Sequence, residues 1–174
     1  IVILASWDEC ENTKRSVKTF LALMVSMETV LIGVFASTDI FLFYVCFEAM
    51  LIPMYFIIVA AGTPQSSYAS MKFQLYSLLG GLLMLAAVIA LYVVGGHSFL
   101  YTALEKAHMP VNDQRWLFLG FFFAFAVKAP LWPFHTWLPD SAAESPVGGT
   151  VLLVGVLDKV GTFGFLRYCL GLFP

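Results

Sequence analysis

The chain has 174 residues, 60% of them hydrophobic and only 11% charged, with a formal net charge of −2 at pH 7. A soluble domain carries about a quarter charged residues, so a mean hydropathy of +0.88 makes this an integral membrane protein. The near-neutral balance argues against a nucleic-acid partner. The three cysteines (Cys10, Cys46, Cys169) are widely separated, lack metal-ligand spacing and read as small apolar fillers.

The chain opens at Ile1, not Met, inside the apolar piece IVILAS, which reads as the tail of an earlier helix. It ends directly after an apolar run, so the sequence reads as an internal piece of a longer protein. A bilayer crossing needs ~20 mostly apolar residues. Five spans are expected, at about 20–37, 40–61, 73–95, 117–138 and 147–170. Together they predict an all-α integral membrane fold, with residues 1–174 forming a single transmembrane domain.

The links fit that division. Thr38-Asp39 is very short, and Asp39 is placed to cap the second span. Residues 62–72 read as a polar loop, 96–116 as the longest loop, and Asp140 and Glu144 as loop or capping residues. Ser145 is the expected N-cap of the fifth span, with Pro146 at its first helical position. Lys14, Arg15, Lys18 and Lys72 fall on one side and Lys106, Arg115 and Arg167 on the other. The positive-inside rule therefore leans towards residues 7–18, 62–72 and 139–146 being cytoplasmic.

Lys128 lies in one of the most apolar stretches, WLFLGFFFAFAVKAPLWPFHTWLP, just before Pro130 and Pro133. A cation in hydrocarbon costs at least ~2.5–3.5 kcal/mol. The two prolines deny helical hydrogen bonds to the carbonyls of Ala126 and Ala129, so the fourth span is expected to break there and expose polar backbone. Counting along the expected spans at ~1.5 Å per residue, Lys128 lies roughly 17 Å deep, Lys159 roughly 18 Å and Glu48 roughly 12 Å. Desolvation disfavours the charged form of an acid or a base, and an opposite charge nearby favours it. A Glu–Lys pair in a semi-dry bundle therefore stands near a balance, as a proton relay requires.

Glu48, Lys128 and Lys159 are the candidate relay. His135, two turns beyond Lys128 if the helix resumes, is a candidate next acceptor, with an interfacial hydrogen-bonded histidine as the alternative. Glu28 reads as a packed carboxyl or a minor relay member. Asp158 adjoins Lys159 but projects ~100° away from it, so it tunes the site at most. The phenylalanines at 121–123 and 125 read as packing or lipid-facing surface, and the glycines of the fifth span as close-packing positions. No phosphate loop, zinc spacing or iron–sulfur cysteine set is present, so no cofactor or metal is expected in this chain.

Three runs carry a resemblance. FLFYVCFEAMLIPMYFII, AFAVKAPLWPFHTWLPDSAAESP and VLLVGVLDKVGTFGFLRYCLGLFP resemble the glutamate helix, the broken lysine helix and the following lysine helix of the antiporter-like membrane subunits of respiratory complex I. They occur in order and cover nearly the whole chain. The resemblance implies a subunit of about fourteen helices with two inverted five-helix repeats, of which this chain looks like the first. It implies that Glu48 partners Lys128, that Lys159 passes protons on, and that His135 matches a histidine of the broken helix. It also implies quinone reduction in partner subunits carrying flavin and iron–sulfur clusters, with other membrane subunits and the bilayer as partners. The location implied is a bacterial plasma membrane or, in an organelle, the mitochondrial inner membrane. Subunits of multi-subunit sodium/proton antiporters share the same fold and lysines and form the alternative. A retinal-type Schiff-base protein and a purely structural scaffold are more distant readings. Asp158 departs from the pattern, standing where many relatives carry an apolar residue.

Overall fold

A computed structural model describes residues 2–6, 17–60 and 62–173. Cys10, Lys14 and Arg15 lie outside the described residues. The chain forms α1 (Val2–Ala5), α2 (Val17–Ala36), α3 (Ile40–Ala49), α4 (Leu51–Val59), α5 (Pro64–Val94), α6 (Tyr101–Leu104), α7 (Val111–Lys128), α8 (Trp137–Glu144) and α9 (Val147–Leu172). Among the described residues there is no strand, only an isolated bridge between Asp39 and Leu100. The all-α membrane fold expected from the sequence is the fold observed. Four helices are long and apolar enough to cross a membrane: α2, α3–α4 together, α5 and α9. The fifth expected crossing is the broken one. Its helix α7 starts at Val111 and carries Asp113 and Arg115 as well as Lys128.

Local chemistry sets the boundaries. Asp39 caps α3 as expected, its side chain accepting from the Leu42 amide at 2.9 Å. Pro53 lacks the amide that would bond back to Ala49, and the second span turns at Met50 into α3 and α4. Residues 62–72 are a correction. Thr63 accepts from the Ser66 amide and Pro64 opens the helix, so nearly all of that polar stretch is the start of α5. At 31 residues, or ~46 Å, α5 is longer than the ~30 Å hydrocarbon core. Residues 139–144 are a second correction: with Trp137 and Leu138, expected at the end of the fourth span, they form helix α8 instead of loop. Ser145 does not cap α9. It closes α8, and the Thr150 hydroxyl donates to the Ala142 carbonyl at 3.0 Å, with the carbonyls of Ser145 and Pro146 as alternative acceptors at 3.3 Å.

The bundle core is aromatic. Phe43, Phe47, Phe73, Phe121, Phe125, Trp137 and Tyr168 are buried. Phe125 packs edge-on to Phe43 and Phe47, with centroids 6.2 and 6.0 Å away, and stacks with Tyr168 at 6.4 Å. The 121–125 cluster thus divides, because on a helix these residues cannot share a face. Phe121 and Phe125 enter the core and Phe123 is exposed. Ile32, Ile52, Leu79, Leu82, Ile89, Val93 and Leu166 lie on the outer surface, as on a multi-pass protein presenting apolar side chains to lipid.

α9 is continuous but not regular. It contains π turns at Leu153–Leu157 and Phe165–Cys169. Its buried positions Gly149, Leu153, Leu157 and Gly161 recur every four residues. A straight α-helix would rotate that series by ~120° over twelve residues. The wider turn at Leu153–Leu157 keeps it facing the bundle.

Candidate proton-relay site

Lys128 is the last residue of α7 and is 1% exposed. Its Nζ has no hydrogen-bond partner and lies 5.2 Å from the Phe47 ring centroid and 5.4 Å from that of Phe73. Desolvated cation–π contacts contribute on the order of 2 kcal/mol each, comparable with the ~2.5–3.5 kcal/mol cost of placing a lysine in a membrane. The C-terminal end of a helix also favours a cation. The rings stabilise charge without fixing the ammonium in a strong hydrogen bond.

The break after Lys128 lies at the expected place, and its backbone is rearranged instead of left open. The Leu131 amide bonds to the Ala126 carbonyl at 2.9 Å, so the carbonyl that Pro130 was expected to free is taken. Ala129 donates to Phe125 at 2.7 Å. The Val127 carbonyl accepts from the indole Nε1 of Trp137 at 2.9 Å. Trp137 is fully buried against Phe73, with centroids 5.2 Å apart, and pins α8 under the end of α7. It went unnoticed in the sequence, where a tryptophan near a span end reads as an interfacial anchor. The Trp132–Pro133 peptide is cis.

Glu48 lies near the end of α3, half-buried, with Oε1 buried and without a hydrogen-bond partner. Its carboxylate occupies the space a side chain at Gly81 of α5 would fill. The neighbouring Gly80 faces Ala124 and Val127 of α7, where an added Cβ would come within 3.3 Å of each. The Gly80–Gly81 pair therefore lets α7 approach on one side and admits the acid on the other. Neither glycine stood out in the sequence. A Gly-Gly pair on a polar-to-apolar helix was the available signal.

Lys128 feels the charges of both Glu48 and Asp158. Neither forms a direct ion pair with it. Among the described residues the ion pair is Lys72–Asp140 at 2.8 Å, joining α5 to α8. Asp158 is buried, with Oδ1 lacking a partner, while Lys159 is exposed on the outer face of α9. Lys128 and Asp158 are thus buried in the bundle and Glu48 half-buried, while Lys159 is exposed on another face of α9. His135 does not continue a helix. It lies in the turns between α7 and α8, half-buried, with Nδ1 buried and without a partner. Glu28 is exposed and lines an apolar groove of about 670 Å³ with Met24, Leu31, Leu152 and Val156. Glu144 accepts from the Thr63 hydroxyl at 2.7 Å. Arg167 folds over the rings of Tyr101 and Phe163, at 5.2 and 5.6 Å.

A family model described as "NADH:quinone oxidoreductase/Mrp antiporter, TM" matches residues 37–173. The chain belongs to this family. The match covers α3 to α9 and with them Glu48, Lys128, His135, Asp158 and Lys159. NADH-quinone oxidoreductase subunit M of Mycobacterium tuberculosis (strain H37Rv) is 50% identical over 171 residues, covering 92% of this chain and 31% of that protein. Subunit M of Rhodobacter capsulatus is 40% identical, over all of this chain and 36% of that protein. The chain therefore spans about a third of the length of these curated relatives. A chain of respiratory complex I from Thermus thermophilus superposes with a TM-score of 0.83 at 41% identity, covering 89% of this chain and 33% of that one. A chain of the Mrp complex from Dietzia sp. DQ12-45-1b superposes at 0.76 with 23% identity, covering 87% and 29%, a likeness of fold alone. This member of the NADH:quinone oxidoreductase/Mrp antiporter family is thus an antiporter-like, multi-pass membrane chain.

Proposed function

We propose that this chain is the proton-translocating part of a membrane subunit of NADH:quinone oxidoreductase, with Glu48, Lys128 and Lys159 as its relay. The observation that carries the reading is Lys128. It is a lysine buried to 1% exposure at the break of a helix, held by ring faces and the fields of two acids, with no fixed hydrogen bond. A group that is costly to charge and costly to leave neutral between two acids responds to small changes around it.

Quinone reduction belongs to partner subunits carrying flavin and iron–sulfur clusters, and its energy reaches this subunit as a displacement or a change of field. Moving Glu48 relative to Lys128 changes the proton affinity of the lysine, and the proton passes towards Lys159. Gly81 gives the Glu48 carboxylate its seat for that exchange. His135, at the turn below Lys128, connects the relay towards the α8 side.

The family description also covers Mrp antiporters, in line with the alternative reading as an antiporter subunit. The identities of 50% and 41% to complex I proteins favour the oxidoreductase branch. Flavin and iron–sulfur subunits co-purifying with the full-length protein support the oxidoreductase. Their absence alongside antiporter subunits supports the alternative.

The decisive test is Lys128→Met in the intact complex, reconstituted in proteoliposomes. The expected result is a lower proton-to-electron ratio with normal assembly. An unchanged ratio in an assembled complex would falsify the relay.

A further inference from the structure

The proposed relay leaves a gap, because Lys128 faces the bundle core and Lys159 faces outwards. We infer that Asp158 fills that gap, carrying the proton between Lys128 and Lys159. The inference rests on the relay reading above and adds a residue to it.

Three observations converge on Asp158. First, the π turn at Leu153–Leu157 ends immediately before it and holds the inward face of α9 in register at that point. Asp158 consequently enters the bundle, 8% exposed, and Lys159 is turned ~100° away. Single π turns inside α-helices are frequent at functional sites. Second, α9 meets the end of α7 at close quarters one turn further on. A Cβ on Gly161 would lie 2.7 Å from the Ala129 amide nitrogen, so α9 backbone runs against the residue that follows Lys128. Asp158, three residues before Gly161 on the same face, is therefore brought to the Lys128 side. Third, the Asp158 Oδ1 is buried and has no partner among the described residues. An unmatched buried oxygen is destabilising and calls for an explanation beyond packing.

The chemistry balances without any co-reactant. The Lys128 ammonium gives its proton to the Asp158 carboxylate, through intervening water since the two form no direct ion pair, leaving a neutral amine and a neutral carboxylic acid. Once Lys159 has passed its own proton onward, the acid gives its proton to the Lys159 amine, restoring the carboxylate and regenerating the ammonium. Net charge is conserved in each step, and the sequence runs equally in reverse. Glu48 acts on Lys128 from α3 and Asp158 from α9, so the lysine is loaded beside one acid and unloaded towards the other.

The test uses the full-length chain in the intact complex, comparing Asp158→Asn, Asp158→Ser, Asp158→Glu and Lys128→Met in proteoliposomes. Assembly is followed on native gels, and two neutral variants are used so that one that misassembles does not end the experiment. The expected result is that Asp158→Asn or Asp158→Ser loses the same share of the proton-to-electron ratio as Lys128→Met, while Asp158→Glu keeps the wild-type ratio. A neutral variant that assembles and pumps normally while Lys128→Met is impaired overturns the role of Asp158 and leaves the relay reading intact. Normal pumping by Lys128→Met overturns the relay reading, and this inference with it.

Discussion

Lys128 and Glu48 stood out in the sequence because the cost of an ionisable group in hydrocarbon does not depend on knowing the fold. Their surroundings were not visible in the same way. Nothing in YSLLGGLLM says that one glycine faces α7 and the next receives a carboxylate, since a glycine signals only that something comes close. That seat gives a sharp prediction. Gly81→Ala puts a methyl where the Glu48 carboxylate lies, and the backbone of α5 cannot retreat without losing its contact with Ala124 through Gly80. Overpacking of this kind costs ~1–3 kcal/mol. The expected outcome is a lower thermal unfolding midpoint of the assembled complex together with a reduced proton-to-electron ratio. Gly155→Ala is the control, because a Cβ there meets nothing within 4 Å. Equal behaviour of the two variants would remove Gly81 from the site.

At the scale of elements, the break in the fourth span was readable from Pro130 and Pro133, and the turn at Met50 from Pro53. The start of α5 was missed because its polarity outweighed the Thr63–Pro64 cap, and α8 because the run Pro139-Asp140-Ser141 within its eight residues resembles a turn. The π turns of α9 leave no mark that hydrophobic periodicity detects, and neither the burial of Asp158 nor the exposure of Lys159 was legible in the sequence. Of the contacts that hold α8, a buried hydrogen bond and a half-exposed ion pair differ in weight. Trp137→Phe deletes the donor to a buried Val127 carbonyl, with an expected cost of ~1–3 kcal/mol. Lys72→Gln breaks an ion pair whose side chains are 21% and 42% exposed, and such pairs contribute ~0–1 kcal/mol. Thermal unfolding of the assembled complex should therefore show a larger loss for Trp137→Phe than for Lys72→Gln. A double-mutant cycle of Lys72→Gln with Asp140→Asn should return a coupling under ~1 kcal/mol. The reverse ranking would mean that the ion pair, not the indole, fixes α8 beneath Lys128.

For the whole molecule, the order of helices settles which loops share a side, independently of the thin difference in charge. The N-terminal end of α5 contacts α8, through Lys72–Asp140 and Thr63–Glu144, so Gln65 and Ala143 belong to one end of the bundle. The segment between α5 and α7 gathers at the other end, where Ile40 donates to the Phe99 carbonyl and the Tyr101 hydroxyl donates to the carbonyl of Arg167. Lys106 lies in that segment and is exposed, as are Gln65 and Ala143. Single cysteines at these three positions, in a full-length chain otherwise depleted of reactive thiols, convert the fold into a labelling pattern. A membrane-impermeant maleimide should reach Gln65→Cys and Ala143→Cys from the same side and Lys106→Cys only from the opposite side, in sealed vesicles of known orientation. The lysine and arginine bias predicts that the Gln65 side is cytoplasmic. Reversal of both sides together would refute that orientation and leave the fold standing. Labelling of Gln65→Cys and Ala143→Cys from opposite sides would mean that α8 is not a return to the α5 end, and the helix break at Lys128 would then have to be drawn as a second full crossing.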